Sequence, residues 1–291
     1  MKKNYLHEHI SITHEKLWDI EKFNAVMKMM IDENYIDKDI LFIVNSEIRL
    51  QILTELKNEP QTVRELVDRT NMAYSSVSNN LSKLEYKNHV IKEDRIYTIN
   101  PMTRIYFDQI MEFKKSIDVV QNFNNFWYKH DITYININLI EDITKLYKSK
   151  LIETNPIDIY KTHNNIKKNL EKSRNVKGIL PYIHPEYPKL MEKILKSNGK
   201  IELIMEKSIY RGLISQIDEK VKRQAKKEGR LKIHVLKENL EIYLLICDNK
   251  MNLGLFKNDG SYDQNRILTS DTHESINWAN SLFDTIKEKV I

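Results

Sequence analysis

The chain has 291 residues, of which 41% are hydrophobic and 30% are charged. That length and composition suit a globular protein of two domains, or of one domain with appendages, each able to bury a core. The single cysteine, Cys247, excludes an internal disulfide, and residues 1–20 contain no apolar run of the kind that a signal peptide or a membrane span requires. We therefore expect a cytoplasmic protein that does not associate with membranes.

The net charge of +5 is unevenly distributed along the chain. Residues 46–100 contain eight basic and eight acidic side chains, whereas residues 131–291 contain 28 basic and 22 acidic ones. The excess of basic residues therefore lies mainly in the second half.

The first predicted element is an amphipathic helix within residues 1–37, in which Ile20, Phe23, Met27 and Met30 recur at steps of three and four. Short helices follow from residue 38 onward. Their starts carry capping signals, since side chains that accept a backbone N–H stabilise a helix N-terminus. These signals are an N-cap at Ser46 and a capping box formed by Thr62 and Glu65.

The next predicted helix has one apolar side and one polar side. Its apolar residues recur at helical spacing and are Met72, Val77, Leu81 and Leu84. The intervening positions hold serine and asparagine, which are mediocre helix formers because they hydrogen-bond the nearby backbone in competing conformations. Asn88 tolerates the left-handed conformation that ends a helix. A hairpin is predicted after it, from "HVIKE" and "RIYTIN" joined at residues 93–95.

Short helices followed by a two-stranded hairpin predict a winged helix-turn-helix, whose third helix enters the major groove of DNA. Small hydroxyl and amide side chains there can contact phosphates and base edges. Lys83, Lys92 and Arg95 could neutralise phosphates. The candidate DNA-binding residues are Thr62, Tyr74, Ser75, Ser76, Ser78, Asn79, Asn80, Lys83, Lys92 and Arg95.

An alternative for this region is a trihelical module that binds protein, because a segment with no net charge lacks the strongly basic surface usual for DNA binding. A homodimer would double the phosphate contacts on a palindromic site. The helix that starts at Pro101 supplies a near-heptad apolar stripe for this purpose. That stripe comprises Tyr106, Ile110, Phe113, Ile117, Val120 and Trp127, and its competing role is to dock onto the chain's own C-terminal domain.

Residues 38–100 resemble the winged-helix regulators of the arsenic-repressor and multiple-antibiotic-resistance-repressor superfamily. The run "MAYSSVSNNL" fits their recognition helix, except that Ala73 stands where a capping serine is usual. The resemblance implies DNA contacts from the polar residues of this run, which are Tyr74, Ser75, Ser76, Ser78, Asn79 and Asn80.

The second half contains short strand-like runs. The first four, "KLIET", "VKGILPYI", "GKIELIM" and "LKIHVL", alternate with helical segments and predict a largely parallel sheet, while "EIYLLIC" and "MNLGLF" predict an antiparallel addition. The expected fold class is α+β, with an N-terminal winged helix-turn-helix joined by a long helix to a C-terminal α/β domain that has a mixed sheet and resembles half of a phospholipase D fold. The expected divisions are an N-terminal helical extension, a DNA-binding domain, a linker or dimerisation helix and an effector domain, at residues 1–37, 38–100, 101–130 and 131–291.

The order of the C-terminal runs, including "NNFWYKHDI", "VKGILPYIHPEYPKLMEKI" and "WANSLFDTIKEK", is similar to that of archaeal winged-helix regulators of the methanogenesis-regulator type. This resemblance implies a transcription factor with a C-terminal sensor or effector domain, and double-stranded DNA as its partner.

A phosphodiesterase-like or nucleotide-processing enzyme with a winged-helix docking module is the alternative function. Phospholipase D chemistry needs a His-x-Lys-x4-Asp run, because a phosphoryl group must be attacked while its charge is neutralised. Only His14, Lys16 and Glu21 approach this spacing, and they lie in the predicted N-terminal helix. We therefore expect a protein that is not an enzyme; an architectural protein without a ligand is a third alternative.

Ligands of α/β sheets bind beyond the carboxyl ends of the strands, which points to Tyr182 and His184. His130 and His163 complete the candidate ligand-binding residues. Basic runs at residues 167–177 and 219–232 favour an anionic effector, with solvated helix faces as their alternative explanation. Because the histidines are scattered along the chain, we predict no metal site and no cofactor. Cys247 is predicted to pack rather than to react.

Overall fold

The computed structural model describes residues 38–237 and 239–290. The predicted N-terminal helix and its histidines lie outside these residues. The chain divides after Lys114 into two compact units, the first ending at Lys114 and the second beginning at Lys115. Among the helices of the described residues, none has the length and hydropathy that crossing a membrane requires.

The first unit contains a winged helix-turn-helix. Short helices are followed by a hairpin, and a two-residue strand joins that hairpin to give an antiparallel sheet in the order β1-β3-β2. The predicted fold of this region is therefore confirmed, with β1 as an addition. The elements are α1 Lys38–Val44, α2 Glu47–Asn58, β1 Gln61–Thr62, α3 Val63–Thr70, α4 Tyr74–Tyr86, β2 Val90–Glu93 and β3 Ile96–Ile99.

The helix ends follow the predicted capping chemistry. The Ser46 hydroxyl accepts a hydrogen bond from the Arg49 backbone N–H at 3.3 Å, and Thr62 and Glu65 form the complete capping box. Asn88 adopts a left-handed conformation with φ of 60°, in the residues that lead from α4 into the wing. Short-range hydrogen bonding thus fixes these boundaries.

The start of α4 differs from the prediction by one feature. The helix begins at Tyr74 after Ala73, which has no capping side chain, so Met72 lies before the helix. Met72 still packs against the core of the unit. Its predicted packing role is confirmed, while its predicted place on the helix is wrong.

A long helix, α5, covers Pro101–Asn122 and crosses the division between the units. The predicted apolar stripe coincides only in part with its buried face, because Ile110 packs against the core of the first unit. Phe107 and Val119 are buried, whereas Phe113 is 53% exposed, and Trp127 lies beyond the helix. The chain turns at Phe123 before the next helix, so the helical period does not continue to Trp127.

The second unit is a mixed sheet with helices on both faces. Its eight strands include the path β5-β11-β10-β9-β6-β7-β8, and β4 pairs with β10. The helices are α6 Asn124–Tyr128, α7 Ile137–Glu141, a 3-10 helix Ile143–Leu146, α8 Lys161–Lys172, α9 Tyr187–Lys196, α10 Lys207–Ser215, α11 Glu219–Lys227 and α12 His273–Lys287. The strands are β4 His130–Asp131, β5 Lys150–Glu153, β6 Asn175–Leu180, β7 Lys200–Glu206, β8 Leu231–Leu236, β9 Ile242–Cys247, β10 Lys250–Lys257 and β11 Arg266–Ser270.

The mixed sheet confirms the predicted fold class but corrects the predicted pairing. Strands β6, β7 and β8 pair in parallel. Strand β5 instead pairs antiparallel with β11 at the opposite edge. Strands β4 and β11 were not predicted from the sequence; β4 has only two residues, and its partner β10 is distant in the chain.

Two hydrophobic cores lie on the two faces of this sheet. Strand β9 contributes to both, because successive side chains of a strand point to opposite faces. Ile242, Leu244 and Ile246 join the core that contains Trp278 of α12. The other residues of β9 join the core that contains helices α8 and α9, namely Tyr243, Leu245 and Cys247.

Gly254 of β10 makes room for Tyr262, because a Cβ atom at Gly254 would lie 2.4 Å from the Tyr262 hydroxyl oxygen. We predict that Gly254→Ala lowers the free energy of unfolding by about 1–3 kcal/mol, the usual cost of forcing an extra methyl group into a packed site. The measurement is urea unfolding of the intact chain followed by circular dichroism.

Gly212 provides the matched control. It lies in α10, and nothing approaches within 4 Å of the position that a Cβ atom would take. Gly212→Ala should leave stability unchanged or raise it by up to about 1 kcal/mol, since alanine is the better helix former. Equal effects of the two substitutions would contradict the close-packing explanation.

Candidate nucleic-acid interface and effector cavities

The helix that precedes the wing, α4, separates a buried apolar side from an exposed polar side. Val77, Leu81 and Leu84 are fully buried. The opposite side carries small polar groups, because positions three and four apart share one face of a helix. Its exposed residues are Tyr74, Ser75, Asn79, Ser82, Lys83 and Tyr86, while Ser76, Ser78 and Asn80 are half-buried.

Two of the predicted DNA-contacting side chains that precede the wing already have structural partners. The Asn80 side-chain amide donates a hydrogen bond to the Ser76 carbonyl oxygen at 2.9 Å. The Thr62 hydroxyl donates to Glu65 Oε2 at 2.8 Å, and the Thr62 backbone N–H donates to the same oxygen at 2.7 Å. These contacts position α3 and α4, so any contact that the two residues make with DNA would be additional.

The wing adds two exposed cations, Lys92 and Arg95, on either side of its turn. Asp94 takes the left-handed conformation at that turn, with φ of 54°. A hydrogen bond with Tyr97 raises the pKa of Lys92, and Lys92 Nζ lies 5.4 Å from the centroid of that ring. The wing therefore presents its positive charges to solvent from a short, fixed turn.

Ser82 and Tyr86 were not among the DNA-binding candidates predicted from the sequence. Both are exposed on α4, and Tyr86 is 88% exposed. They follow Asn79 by three and seven residues, a spacing that places them on the same face of the helix as Asn79. They extend the polar strip of α4 by one turn.

In the second unit, three of the four predicted ligand-binding residues line one cavity. This cavity has a volume of about 140 Å³ and includes Tyr182, His163 and His184 in its wall. It lies on the face of the sheet that carries α8 and α9. Its remaining lining residues are Ile159, Tyr160, Thr162, Ile166, Tyr262, Gln264, Asn265 and Ile267.

His163 and His184 belong to a compact polar cluster. Their rings stack with centroids 3.6 Å apart, and His163 Nε2 lies 2.8 Å from Glu186 Oε2. Lys167 Nζ donates a hydrogen bond to the other carboxylate oxygen, Oε1, at 2.5 Å. We name His163, Lys167, His184 and Glu186 the histidine cluster.

The electrostatics of the histidine cluster favour an ionised carboxylate and a neutral imidazole. Hydrogen bonds from Lys167 and then from His163 lower the pKa of Glu186 to about 2. Burial and the nearby His163 lower the pKa of His184. Glu186, and the pairing of Lys167 with it, were not predicted from the sequence, although these residues lie two residues after His184 and four residues after His163.

Tyrosine side chains pack beside the same cavity. The hydroxyl oxygens of Tyr187 and Tyr243 are 3.3 Å apart, and the rings of Tyr182 and Tyr262 have centroids 4.8 Å apart. Burial raises the pKa of all four phenols. The cavity wall is therefore uncharged on this side at neutral pH.

His130, the fourth predicted ligand-binding residue, does not line this cavity. It is buried, and both ring nitrogens have partners: Nδ1 lies 2.7 Å from the Phe126 carbonyl oxygen and Nε2 lies 2.9 Å from Asp263 Oδ2. Arg266 also contacts Asp263, at 3.1 Å. This arrangement joins β4 to the segment before β11.

A second, wider cavity lies at the carboxyl ends of the parallel strands β7 and β8. Its volume is about 600 Å³. The first turn of α10 borders it, and three cationic side chains contribute to its wall. The lining residues are Glu206, Lys207, Ser208, Tyr210, Arg211, Val235, Leu236 and Lys237, and we name this cavity the basic cleft.

Two family models match the chain. The model described as "Bacterial regulatory protein, arsR family" matches residues 46–90, and the model described as "Methanogenesis regulatory protein FilR1, middle domain" matches residues 159–289. Both are models of regulatory proteins. The predicted resemblance to winged-helix regulators of the methanogenesis-regulator type is confirmed by these matches.

A curated relative extends the likeness over most of the chain. The methanogenesis regulatory protein FilR1 of Methanothrix harundinacea (strain 6Ac) is 23% identical over 258 residues. The match covers 87% of this chain and 58% of the relative. The chain therefore spans little more than half the length of that protein.

Solved structures also show distant likeness. TrmBL2, an archaeal chromatin protein, is 14% identical, with 91% of this chain and 98% of that chain covered at a TM-score of 0.39. Nuc from Salmonella typhimurium, a phospholipase D family member, is 10% identical, with 49% and 93% covered at a TM-score of 0.34. At TM-scores below 0.5, these likenesses support no functional conclusion.

The capping box gives Thr62 a structural role that can be separated from DNA contact. We predict that Thr62→Ala lowers the free energy of unfolding by about 1 kcal/mol, because α3 loses its N-cap. Thr62→Ser, which keeps the hydroxyl, should retain most of the stability. Thermal unfolding of both variants provides the measurement, and equal stability of Thr62→Ala and the parent chain would contradict the capping role.

Proposed function

We propose that this chain, in which an arsR-family helix-turn-helix segment precedes a FilR1-type middle domain, is a DNA-binding transcriptional regulator. The observation that carries the proposal is the exposed polar strip on α4, the helix that precedes the wing. Serine and asparagine lower the helix propensity of that strip, so a role other than helix stability accounts for them. Small polar side chains also allow the helix to approach base edges closely.

In this proposal, specificity and affinity come from different residues. Ser75 and Asn79 are exposed on one face of α4 and would contact base edges. Lys83, Lys92 and Arg95 would contact phosphates, which supply the sequence-independent part of the affinity. The remaining candidates, Tyr74, Ser76, Ser78, Asn80 and Thr62, would support or extend these contacts.

We further propose that the regulator acts as a homodimer. Residues 46–100 have no net charge, and a single copy therefore offers few uncompensated cations to the phosphates. For example, Lys87 forms an ion pair with Asp39 at 2.8 Å. Two copies on a palindromic site double the contacts. Residues 101–130 remain the proposed linker and dimerisation segment.

The second unit is the proposed effector domain, with an anionic small molecule as its ligand. The basic cleft supports this proposal because its volume falls within the usual range for small-molecule sites and its wall contains Lys207, Arg211 and Lys237. Its place at the ends of parallel strands matches the common ligand position in α/β sheets. The effector would act through different affinities for conformations that do and do not fit the operator.

The enzyme alternative receives less support from the site geometry. The histidine cluster does bring histidine, lysine and carboxylate groups together. However, Lys167 is paired with Glu186, so its charge is already compensated and is not directed at a phosphoryl group. The adjoining cavity of about 140 Å³ is also smaller than usual substrate sites.

DNA binding can be tested without knowledge of the operator. Selection from a random duplex library should enrich a palindromic sequence, and fluorescence anisotropy should show affinity that falls steeply with salt. The logarithm of the binding constant falls linearly with the logarithm of the salt concentration. Lys83→Ala and Arg95→Ala should each reduce the magnitude of that slope by about one, because each substitution removes one cation from a phosphate. Ser75→Ala and Asn79→Ala should change the enriched sequence.

Lys148→Ala is the matched control, because Lys148 is exposed in the second unit. The Lys148→Ala variant should bind the enriched DNA with the same affinity and the same salt dependence as the parent chain. Failure to enrich any sequence, or equal loss of affinity in the control, would refute the proposed interface. Sedimentation of the chain with and without the enriched duplex tests the homodimer separately.

The anionic effector can be tested by thermal unfolding with inorganic phosphate, pyrophosphate and succinate as probes. A ligand at about one hundred times its Kd should stabilise the chain by about 2.7 kcal/mol. Arg211→Gln should abolish this stabilisation, because Arg211 lines the basic cleft. Arg223→Gln should retain it, because Arg223 pairs with Glu219 on the neighbouring helix α11. Equal loss in both variants would place the effect outside the cleft.

A further inference from the structure

We infer that His163, His184 and Glu186 form a binding site for a divalent transition-metal ion of the zinc, cobalt or nickel class. One potential ligand atom from each residue lies within 4.8 Å of the others. The residues come from α8 and from the segment between β6 and α9, so tertiary packing brings them together. The inference adds a metal ion to the proposed function as a second effector. It rests on the proposed function only in that respect.

The donor set selects the class of metal. Two imidazole nitrogens and one carboxylate oxygen suit zinc and its neighbours, whereas calcium and magnesium require mainly oxygen ligands. His163 Nε2 and Glu186 Oε2 are 2.8 Å apart, and His184 Nδ1 is 4.0 Å from the same oxygen. Ligands about 2.0–2.1 Å from a tetrahedral ion are about 3.3 Å apart. Small side-chain movements would therefore bring the three ligand atoms to coordination distance from one ion.

One such movement can be specified. The rings of His163 and His184 are stacked with an angle of 30° between their planes. The lone pairs of stacked rings do not converge on one point, so one ring must turn. His184 is better placed to do so, because it precedes α9 in a connecting segment and only part of its side chain is buried. Turning this ring gives up the hydrogen bond that His184 Nδ1 accepts from the Glu186 backbone N–H at 3.3 Å.

Lys167 is the residue that would orient the carboxylate. It holds Glu186 Oε1 at 2.5 Å, which leaves Oε2 directed at His163. Partners of this kind fix the position of metal-binding groups. The ammonium charge of Lys167 balances the charge of Glu186, and a neutral donor set binds a dication less tightly than an anionic one. The site is therefore suited to reversible binding.

The adjoining cavity would complete the coordination. His163 and His184 both line it. An ion bound by both residues would therefore have its remaining coordination positions open to the cavity. At about 30 Å³ for each water, a volume of about 140 Å³ accommodates a few waters or one small anion. An ion with open positions differs from a closed structural zinc site, which takes four protein ligands.

The test uses the full chain after dialysis against a chelator. Titration with cobalt chloride, followed by visible absorption, should show one ion bound per chain, and zinc chloride should displace it. His163→Gln, His184→Gln and Glu186→Gln should each weaken cobalt binding at least tenfold. Circular dichroism in the chelator shows whether each variant folds. If a histidine variant does not fold, Glu186→Gln provides the test, since the Glu186 side chain is 43% exposed.

His234→Gln is the matched control. His234 Nε2 contacts Glu202 Oε1 at 2.9 Å, and Lys287 pairs with the same carboxylate. This group therefore repeats the His–Glu–Lys contacts without a second histidine. Cobalt binding by His234→Gln should equal that of the parent chain.

Three outcomes would overturn the metal site. These are the absence of stoichiometric binding, binding that is unchanged in all folded cluster variants, and a loss in His234→Gln as large as that in His163→Gln. Residues 1–37 contain three further histidines, His7, His9 and His14. If replacing these three abolishes cobalt binding while the cluster variants still bind, the second outcome holds and the proposed site is wrong. Metal binding is measured without DNA, so its failure leaves the regulator proposal standing, and failure of DNA binding leaves the metal site standing.

Discussion

The second unit depends on strand β9, which is buried along its whole length. Because its side chains alternate between the two faces of the sheet, this one strand contributes to both hydrophobic cores. Each fully buried leucine or isoleucine contributes about 1.5–3 kcal/mol. The smaller cavity lies on the face of this sheet that carries α8 and α9, and the basic cleft lies at the carboxyl ends of β7 and β8.

The polar residues near these cavities follow two different principles. His130 and Asp263 are buried and fully hydrogen-bonded, as buried polar groups must be if they are not to cost stability. The histidine cluster is partly exposed. His163 Nε2 contacts Glu186 Oε2, and His184 Nδ1 accepts a hydrogen bond from the Glu186 backbone N–H. The first arrangement joins distant segments of the fold, while the second is the proposed metal site.

In the winged helix, the buried side of α4 and the side proposed to contact DNA lie opposite each other. Val77, Leu81 and Leu84 anchor the helix in the core, which permits residues of low helix propensity on the other side. The caps at Ser46, Thr62 and Asn88 set the helix ends independently of that surface. Substitutions on the polar strip should therefore alter binding more than folding.

The sequence by itself determined the winged helix, its capping residues, the hairpin turn and six strands of the second unit, because periodicity and capping act over a few residues. It also gave Tyr182, His163 and His184 as ligand-binding candidates, although not that they line one cavity. Only the tertiary structure placed β5 beside β11 and brought Glu186 and Lys167 to the two histidines. Those contacts join residues that are far apart in the chain, and no local pattern of hydrophobicity or spacing specifies which distant segments pack together.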